Sequence, residues 1–325
     1  MLLFLNFLMS KNLILHDYDN PSATHILDVE IVNNLLIVSG MLGGIEFYNI
    51  SNREVLNHLS TLQISGGGGG GGGAKPNCIV TSGNYAYLTT NHGLGVINIS
   101  NPSNPQYLGI VAGTNGFILE NLDVHNNILA VAAHEEGILF FDISNPENPD
   151  YFYTFQTLNA WGIKLANSLD DFYEYIFYVA DADYVLIGGF TVDGDFNIIE
   201  NIYMDLAVKD IVLDNDFLYV AIGTDGVNVY HTTTNDQYNC SQINPCFLDN
   251  YNTSVLANRI ETFDNKLAVS DWDDIEILEY IEGELSLIGY KNTTRRTMAV
   301  ATKDNYIYSA EWASVQIFEY GQIEG

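Results

Sequence analysis

Six short stretches of the chain concentrate the residue types that bind ions or run acid–base chemistry. They are TTNHG (89–93), AAHEEG (132–137), ADADY (180–184), IGTDG (222–226), SDWDD (270–274) and AEWAS (310–314). They supply His92, His134, Glu135, Glu136, Asp181, Asp183, Asp225, Asp271, Asp273, Asp274 and Glu311. Carboxylates at this density suit a hard cation. Oxygens from Asp181, Asp183, Asp225 or Asp271 would serve Ca2+, which takes about six to eight of them. No EF-hand or RTX-type nonapeptide is present, so such a site has to be assembled across separate segments. Two stretches also carry a tryptophan, Trp272 and Trp312. Trp161, Asp205, Arg295 and Arg296 lie in a second set of loops. An indole stacks on a sugar ring or anchors a partner peptide, and the acidic surroundings favour a cationic partner.

Catalytic patterns are thin. Paired carboxylates run glycoside hydrolysis, and a histidine with an acid can act as a base. His134 beside Glu135 is the best such pair. Adjacent residues at a strand end point to opposite sides, however, so these two do not converge. There is no Gly-x-Ser-x-Gly elbow. Cys78 has no histidine in a recognisable setting, and His16, His25, His58, His125 and His231 are scattered among strands and turns.

The stretches occupy a fixed place in an internal repeat. One phrase recurs as NNLLIVSG, GNYAYLTT, NNILAVAA, YEYIFYVAD, DNDFLYVAI, DNKLAVSD and DNYIYSAE. A turn residue, then an alternating β-branched and aromatic run, reads as turn then strand. A second phrase follows each time, anchored at Gly44, Gly93, Gly137, Asp183, Gly226, Asp274 and Ser314, at intervals of 40 to 49 residues. Seven strand-rich units of that length without a helical period predict a single all-β domain, a β-propeller of seven four-stranded blades. The last unit offers three strands. NLILHDYDN (12–20) from the N-terminus is expected to supply its fourth, removing an open sheet edge.

Composition limits the partners. Eleven basic against 41 acidic residues give a net charge of −30 in 325 residues. Nucleic acid and anionic membrane surfaces need the opposite balance. The opening MLLFLNFLMSKN is too short to span a bilayer, which takes about 20 apolar residues. Residues 1–10 read as the remnant of a secretory signal, with the propeller over 11–325. The missing basic start and the abrupt GQIEG end fit a piece of a larger surface protein. Cys240 and Cys246 bracket a short polar loop and are expected to form a disulfide in an oxidising compartment, with Cys78 a small buried residue. Eight glycines, Gly66–Gly73, lie between the first and second units. Such a run resists ordering. It reads as a loop insertion, or as a placeholder for unassigned residues, and without a following helix it is no phosphate loop.

The segments GVINISNPSNPQYLG (95–109) and GILFFDISNPENPDY (137–151), with SGNYAYLTTNHG before the first, resemble the LVIVD repeat. Units 1 to 3 carry the likeness. Units 4 to 7 keep the strand pattern without the Ser-Asn-Pro tail. The resemblance implies a β-propeller of exported or surface-associated bacterial and archaeal proteins, and it implies no catalytic residues. In the tail, Asp142 and Asn98 are expected to cap the turn after the third strand.

The function expected is therefore a secreted or cell-surface binding propeller without catalysis. It would take a protein or glycan on an acidic rim bearing Trp161, Trp272, Trp312, His134, Glu135, Asp271, Glu311 and Arg295. The alternative is a Ca2+-dependent hydrolase of a sugar, phosphoester or lactone.

Overall fold

The computed structural model describes residues 13–22, 24–42, 44–64, 75–168, 171–233 and 245–321. The glycine run, residues 1–10 and Cys240 lie outside them. All regular elements among the described residues are strands. No helix among them is long and apolar enough to cross a membrane.

The strands follow the repeat. β1 (Leu13–Asp19) precedes blade 1, which is β2 (Thr24–Val32), β3 (Leu35–Leu42), β4 (Gly44–Asn49) and β5 (Asn57–Leu62). Blade 2 is β6 (Pro76–Ser82), β7 (Tyr85–Thr90), β8 (Gly93–Asn98) and β9 (Gln106–Ile110). Blade 3 is β10 (Leu122–His125), β11 (Ile128–Ala132), β12 (Ile138–Asp142) and β13 (Asp150–Phe155). Blade 4 is β14 (Ala160–Asn167), β15 (Tyr173–Asp181), β16 (Tyr184–Thr191) and β17 (Phe196–Tyr203). Blade 5 is β18 (Asp210–Asp214), β19 (Phe217–Ala221), β20 (Val227–His231) and β21 (Cys246–Tyr251). Each of these is an antiparallel sheet in sequence order.

Blades 6 and 7 share one six-stranded sheet, ordered β1-β26-β25-β24-β23-β22. β22 (Ala257–Phe263) is followed by β23 (Lys266–Ile281) and β24 (Glu284–Lys303), each long enough to serve as two blade strands. The first part of β24 ends blade 6, and its second part pairs with β25 (Tyr306–Glu311) to begin blade 7. β26 (Ser314–Tyr320) then pairs with β1, so the N-terminal strand completes the last blade.

The reason for the glycine that opens many third strands is steric. Gly137 sits at φ +89°, and a Cβ there would fall 2.2 Å from the Phe155 carbonyl oxygen. Blade 6 lacks this glycine. Its corner is made by Trp272 at φ +52°, and β23 runs on through it. The expected caps are present: Asn98 accepts from the Ser100 amide at 3.0 Å and Asp142 from that of Ser144 at 2.7 Å.

Alternation along the strands puts apolar residues on both faces of each blade, because each blade is sandwiched between two others. Every adjacent pair shares its own apolar core. One such core joins Ile26, Val29 and Leu36 of blade 1 to Ala299, Tyr308 and Ile317 of blade 7. That contact closes the ring and leaves the first strands of the blades around the axis.

Candidate functional site

The axis is where the blades can share chemistry, and backbone irregularities decide what faces it. In blade 1, Ile26 pairs with Gly40 and Asp28 with Ser39, leaving Leu27 without an opposite number. The same slip leaves out Trp161 in blade 4, Asn258 in blade 6 and Met298 in blade 7. Blade 2 skips Asn77 together with Cys78. A bulge of this kind re-aims a side chain at the end of a strand. Leu27, Asn77, Trp161, Asn258 and Met298, with Glu120 and Lys209 from blades 3 and 5, line one funnel of about 550 Å3. Lys75, Asn91 and Arg259 complete its polar lining.

Three of the chain's 11 basic residues thus meet in one cavity. Lys209 Nζ lies 5.3 Å from the Trp161 ring centre, a cation–π contact. Arg259 Nη2 donates to Cys78 Sγ at 2.7 Å, and Nη1 stands 3.6 Å from Asp210 Oδ1. Burial works against the Arg259 charge, but Cys78, Asp210, Asp28 and Glu120 outweigh it and hold the guanidinium protonated. His134 edges the funnel at φ +51°, its ring 4.8 Å from that of Trp161. Its Nε2 is 3.4 Å from Glu120 Oε2, and its Nδ1 is 3.1 Å from Asn159 Oδ1.

Below the mouth, the first strands of all seven blades enclose a narrow cavity of about 80 Å3 with Asp28, Glu30, Asp123, Asp210 and Glu261 facing Lys164 and Arg259. The acids lace neighbouring blades together. Asp28 accepts from the Ile79 amide at 2.9 Å, Asp123 from that of Leu165 at 2.7 Å, and Asp210 from that of Ile260 at 3.0 Å. Glu30 accepts from both the amide and the hydroxyl of Thr81. Burial pushes Asp28 up to about 6 and Glu30 up to about 7. It also pushes the Cys78 thiol up, so Cys78 is an inert buried residue.

The residues singled out from the sequence separate into several places. Trp161 lines the funnel. Trp272 and Trp312 instead hold Arg296 between them, its guanidinium 4.5 Å and 5.8 Å from their ring centres. Trp312 also meets His25 edge-on. Glu135 and Arg295 are exposed. His134 pairs with Glu120 of the funnel wall and not with its neighbour Glu135.

Asp181, Asp271 and Glu311 hold equivalent places at the end of the second strand of their blades, opposite Ala160, Ala257 and Thr297. All three are buried and turned toward the chain itself. Asp181 accepts from the amides of Leu158 and Asn159. Asp271 accepts from the hydroxyls of Thr253 and Ser254 and the amides of Val255 and Leu256. Glu311 accepts from Ser309 and Thr297, and burial lifts it to about 7. Asp183 is half-buried and Asp225 exposed. Among the described residues the carboxylates of Asp181, Asp183, Asp225 and Asp271 do not gather at one point, whereas those of Asp271, Asp273 and Asp274 do. Cys246 is disulfide-bonded; its expected partner Cys240 lies outside the described residues. His16, His58 and His125 contact Glu319, Glu46 and Asn167, which fits their structural reading.

Sequence reasoning passed over Lys75, Glu120, Lys209 and Arg259. A usable signal did exist. Basic residues are scarce here, and Lys209 and Arg259 fall at neighbouring places at the start of the first strand of adjacent repeats.

Comparison with known proteins agrees with the fold. A profile of the LVIVD repeat matches residues 73–113, which span blade 2. The crystal structure of the WD40 β-propeller domain of Doa1 is similar with a TM-score of 0.71 at 13% identity, over 96% of this chain and 98% of that one. The computationally designed Ika8 protein is similar with a TM-score of 0.63, also at 13% identity, over 95% and 99%. At these identities the likeness concerns the fold alone. No curated protein sequence matches the chain.

Proposed function

Starting from a seven-bladed β-propeller that carries an LVIVD repeat, we propose that the protein is a non-catalytic binding module, exported or held at the cell surface, that takes an acidic glycan into its axial funnel. One observation carries this reading. In a chain of net charge −30, Lys75, Lys209 and Arg259 converge with Trp161 on a single cavity of about 550 Å3. An indole face offers a platform for a sugar ring. Asn77, Asn91 and Asn258 offer amide donors and acceptors for hydroxyls. The cations then meet a uronate carboxylate inside a partly dry site, where charge pairing is stronger than at the surface. The acidic exterior lies outside this funnel, and its long-range repulsion of such a ligand is screened beyond about 8 Å at physiological salt. The disulfide at Cys246 supports an oxidising location.

Calorimetric titration with uronate oligosaccharides tests the reading. Trp161→Ala and the pair Lys75→Ala with Lys209→Ala should each weaken binding about tenfold or more. Melting should stay within about 2 °C of the parent. Trp272→Ala and Trp312→Ala should leave binding unchanged. Loss in those variants alone would move the site to the outer tryptophans. No binding of any oligosaccharide would remove the proposal.

A hydrolytic reading has one observation behind it, the His134–Glu120 contact in the funnel wall. It requires turnover of a sugar, phosphoester or lactone substrate that Glu120→Gln abolishes. A screen without turnover in the presence of calcium would dismiss it.

A further inference from the structure

The corner of blade 6 gathers carboxylates. Asp271, Asp273 and Asp274 each place a carboxylate oxygen within 4.8 Å of the other two. Asp274 is 6% exposed and Glu276 3%. They are two residues apart on β23, so they project from the same face. Ser254 is their common neighbour: its hydroxyl lies 3.2 Å from Asp274 Oδ2, and its amide donates to Glu276 Oε1 at 3.2 Å. The other oxygen of each, Asp274 Oδ1 and Glu276 Oε2, is buried with no hydrogen-bond partner among the described residues. The charged groups bearing most on Asp274 and Glu276 are all carboxylates: Asp271 and Asp273 on both, and Asp274 on Glu276.

Buried charges persist when they are paired or bind a metal. Native structures leave few buried polar atoms without partners, and each one calls for a reason. Asp271 has none to spare, since four donors already fill its two oxygens. Asp274, Glu276 and the exposed Asp273 do have free oxygens. We infer that blade 6 binds one divalent cation, calcium by the chemistry of its donors, beside the Asp271, Asp273 and Asp274 cluster, with Asp273 and Asp274 Oδ1 as its first ligands and Glu276 Oε2 closing onto it when it binds. Hard carboxylate oxygens are the ligands Ca2+ prefers, and the open side at Asp273 leaves room for the water that completes its shell. Asp271 is a positioning residue, fixing Ser254 against both ligands. The site is separate from the funnel and from any ligand held there.

Trp272 lies between Asp271 and Asp273 in the sequence, so its indole can sensitise terbium luminescence. The protein is stripped with EDTA, dialysed, and titrated with Ca2+ by calorimetry and with Tb3+ by luminescence. One site per chain is expected, with calcium displacing terbium and raising the melting temperature by several degrees. The double variant Asp274→Asn with Glu276→Gln keeps size and shape and removes the repulsion, so its stripped form should melt at or above the stripped parent. Its calcium affinity should fall at least tenfold. No binding by the parent would overturn the inference and leave the carboxyls as protonated core groups. Equal binding by parent and variant would overturn it too, by placing the cation elsewhere.

Discussion

The funnel and the blade 6 corner bury carboxylates in opposite ways. Around the axis, Asp123 and Asp210 have Lys164 and Arg259 within 4 Å, and each acid also accepts an amide from the next blade. At the blade 6 corner the acids face one another, and the donors they share come from a single loop, residues 253–256. At the axis two of the five acids have a cation beside them, and the set ties blades together. The corner is left with two buried oxygens that no donor among the described residues satisfies. A buried acid with a cation and an amide beside it is stabilised from within the fold, while one that faces only other acids calls for a proton or a metal.

The largest test of this contrast is Arg259→Met. It keeps much of the volume but leaves Asp210 and Asp28 without their cation. Removing one partner of a buried pair destabilises by about 3 kcal/mol or more. Urea unfolding should show a loss of that order, and Asp210→Asn added to it should restore part. Full stability in Arg259→Met would mean the axial acids are neutral without it.

Asp271→Ala comes next. It strips the amides of Val255 and Leu256 of their acceptor, a loss of about 2 kcal/mol. The isosteric change at Asp274 and Glu276 should go the other way in stripped protein. If all three substitutions destabilise alike, the corner is an ordinary cap and the contrast fails.

The smallest effect concerns pH. Glu30 faces Thr81, Asp28, Lys164 and Glu261, and burial raises it from 4.5 to about 7. The folded state therefore holds this proton more tightly than the unfolded chain. Its contribution to stability is complete below about 4.5 and is lost as pH rises through about 7. Glu30→Gln should flatten the fall in melting temperature between pH 5 and 7 by about 2 °C. A parallel curve would show that Lys164 compensates for the charge of Glu30.

Much of the fold could be read from residue order alone. The repeated turn-then-strand phrase fixed the blade count, and the third-strand anchors fall where those strands begin. The N-terminal NLILHDYDN did join the last blade. The merging of blades 6 and 7 was hidden, because it follows from one strand, β24, running on from the end of blade 6 into the start of blade 7. For the site, the sequence put Trp161 in a loop, whereas it stands at a bulge near the start of β14 and lines the funnel, and it saw that His134 and Glu135 diverge without finding the acid that His134 does meet. Glu120 is 14 residues away and arrives because the chain before β10 pairs back on the end of β11 within blade 3. Asp181 and Asp271 looked like free ligands because the sequence displays carboxylates without displaying the amides that occupy them.

What the sequence by itself determined is local and periodic: strand alternation, turn residues, Asx caps and a spacing that only a propeller satisfies. These depend on each residue and its near neighbours. The tertiary structure alone decided which side chains share the axis. Every blade contributes at least one residue to the funnel, those of successive blades standing about forty to fifty positions apart, and in blades 1, 2, 4, 6 and 7 a bulge in the first strand turns one inward. The burial that raises Asp28, Glu30 and Glu311 likewise exists only once seven blades have closed and excluded water between them.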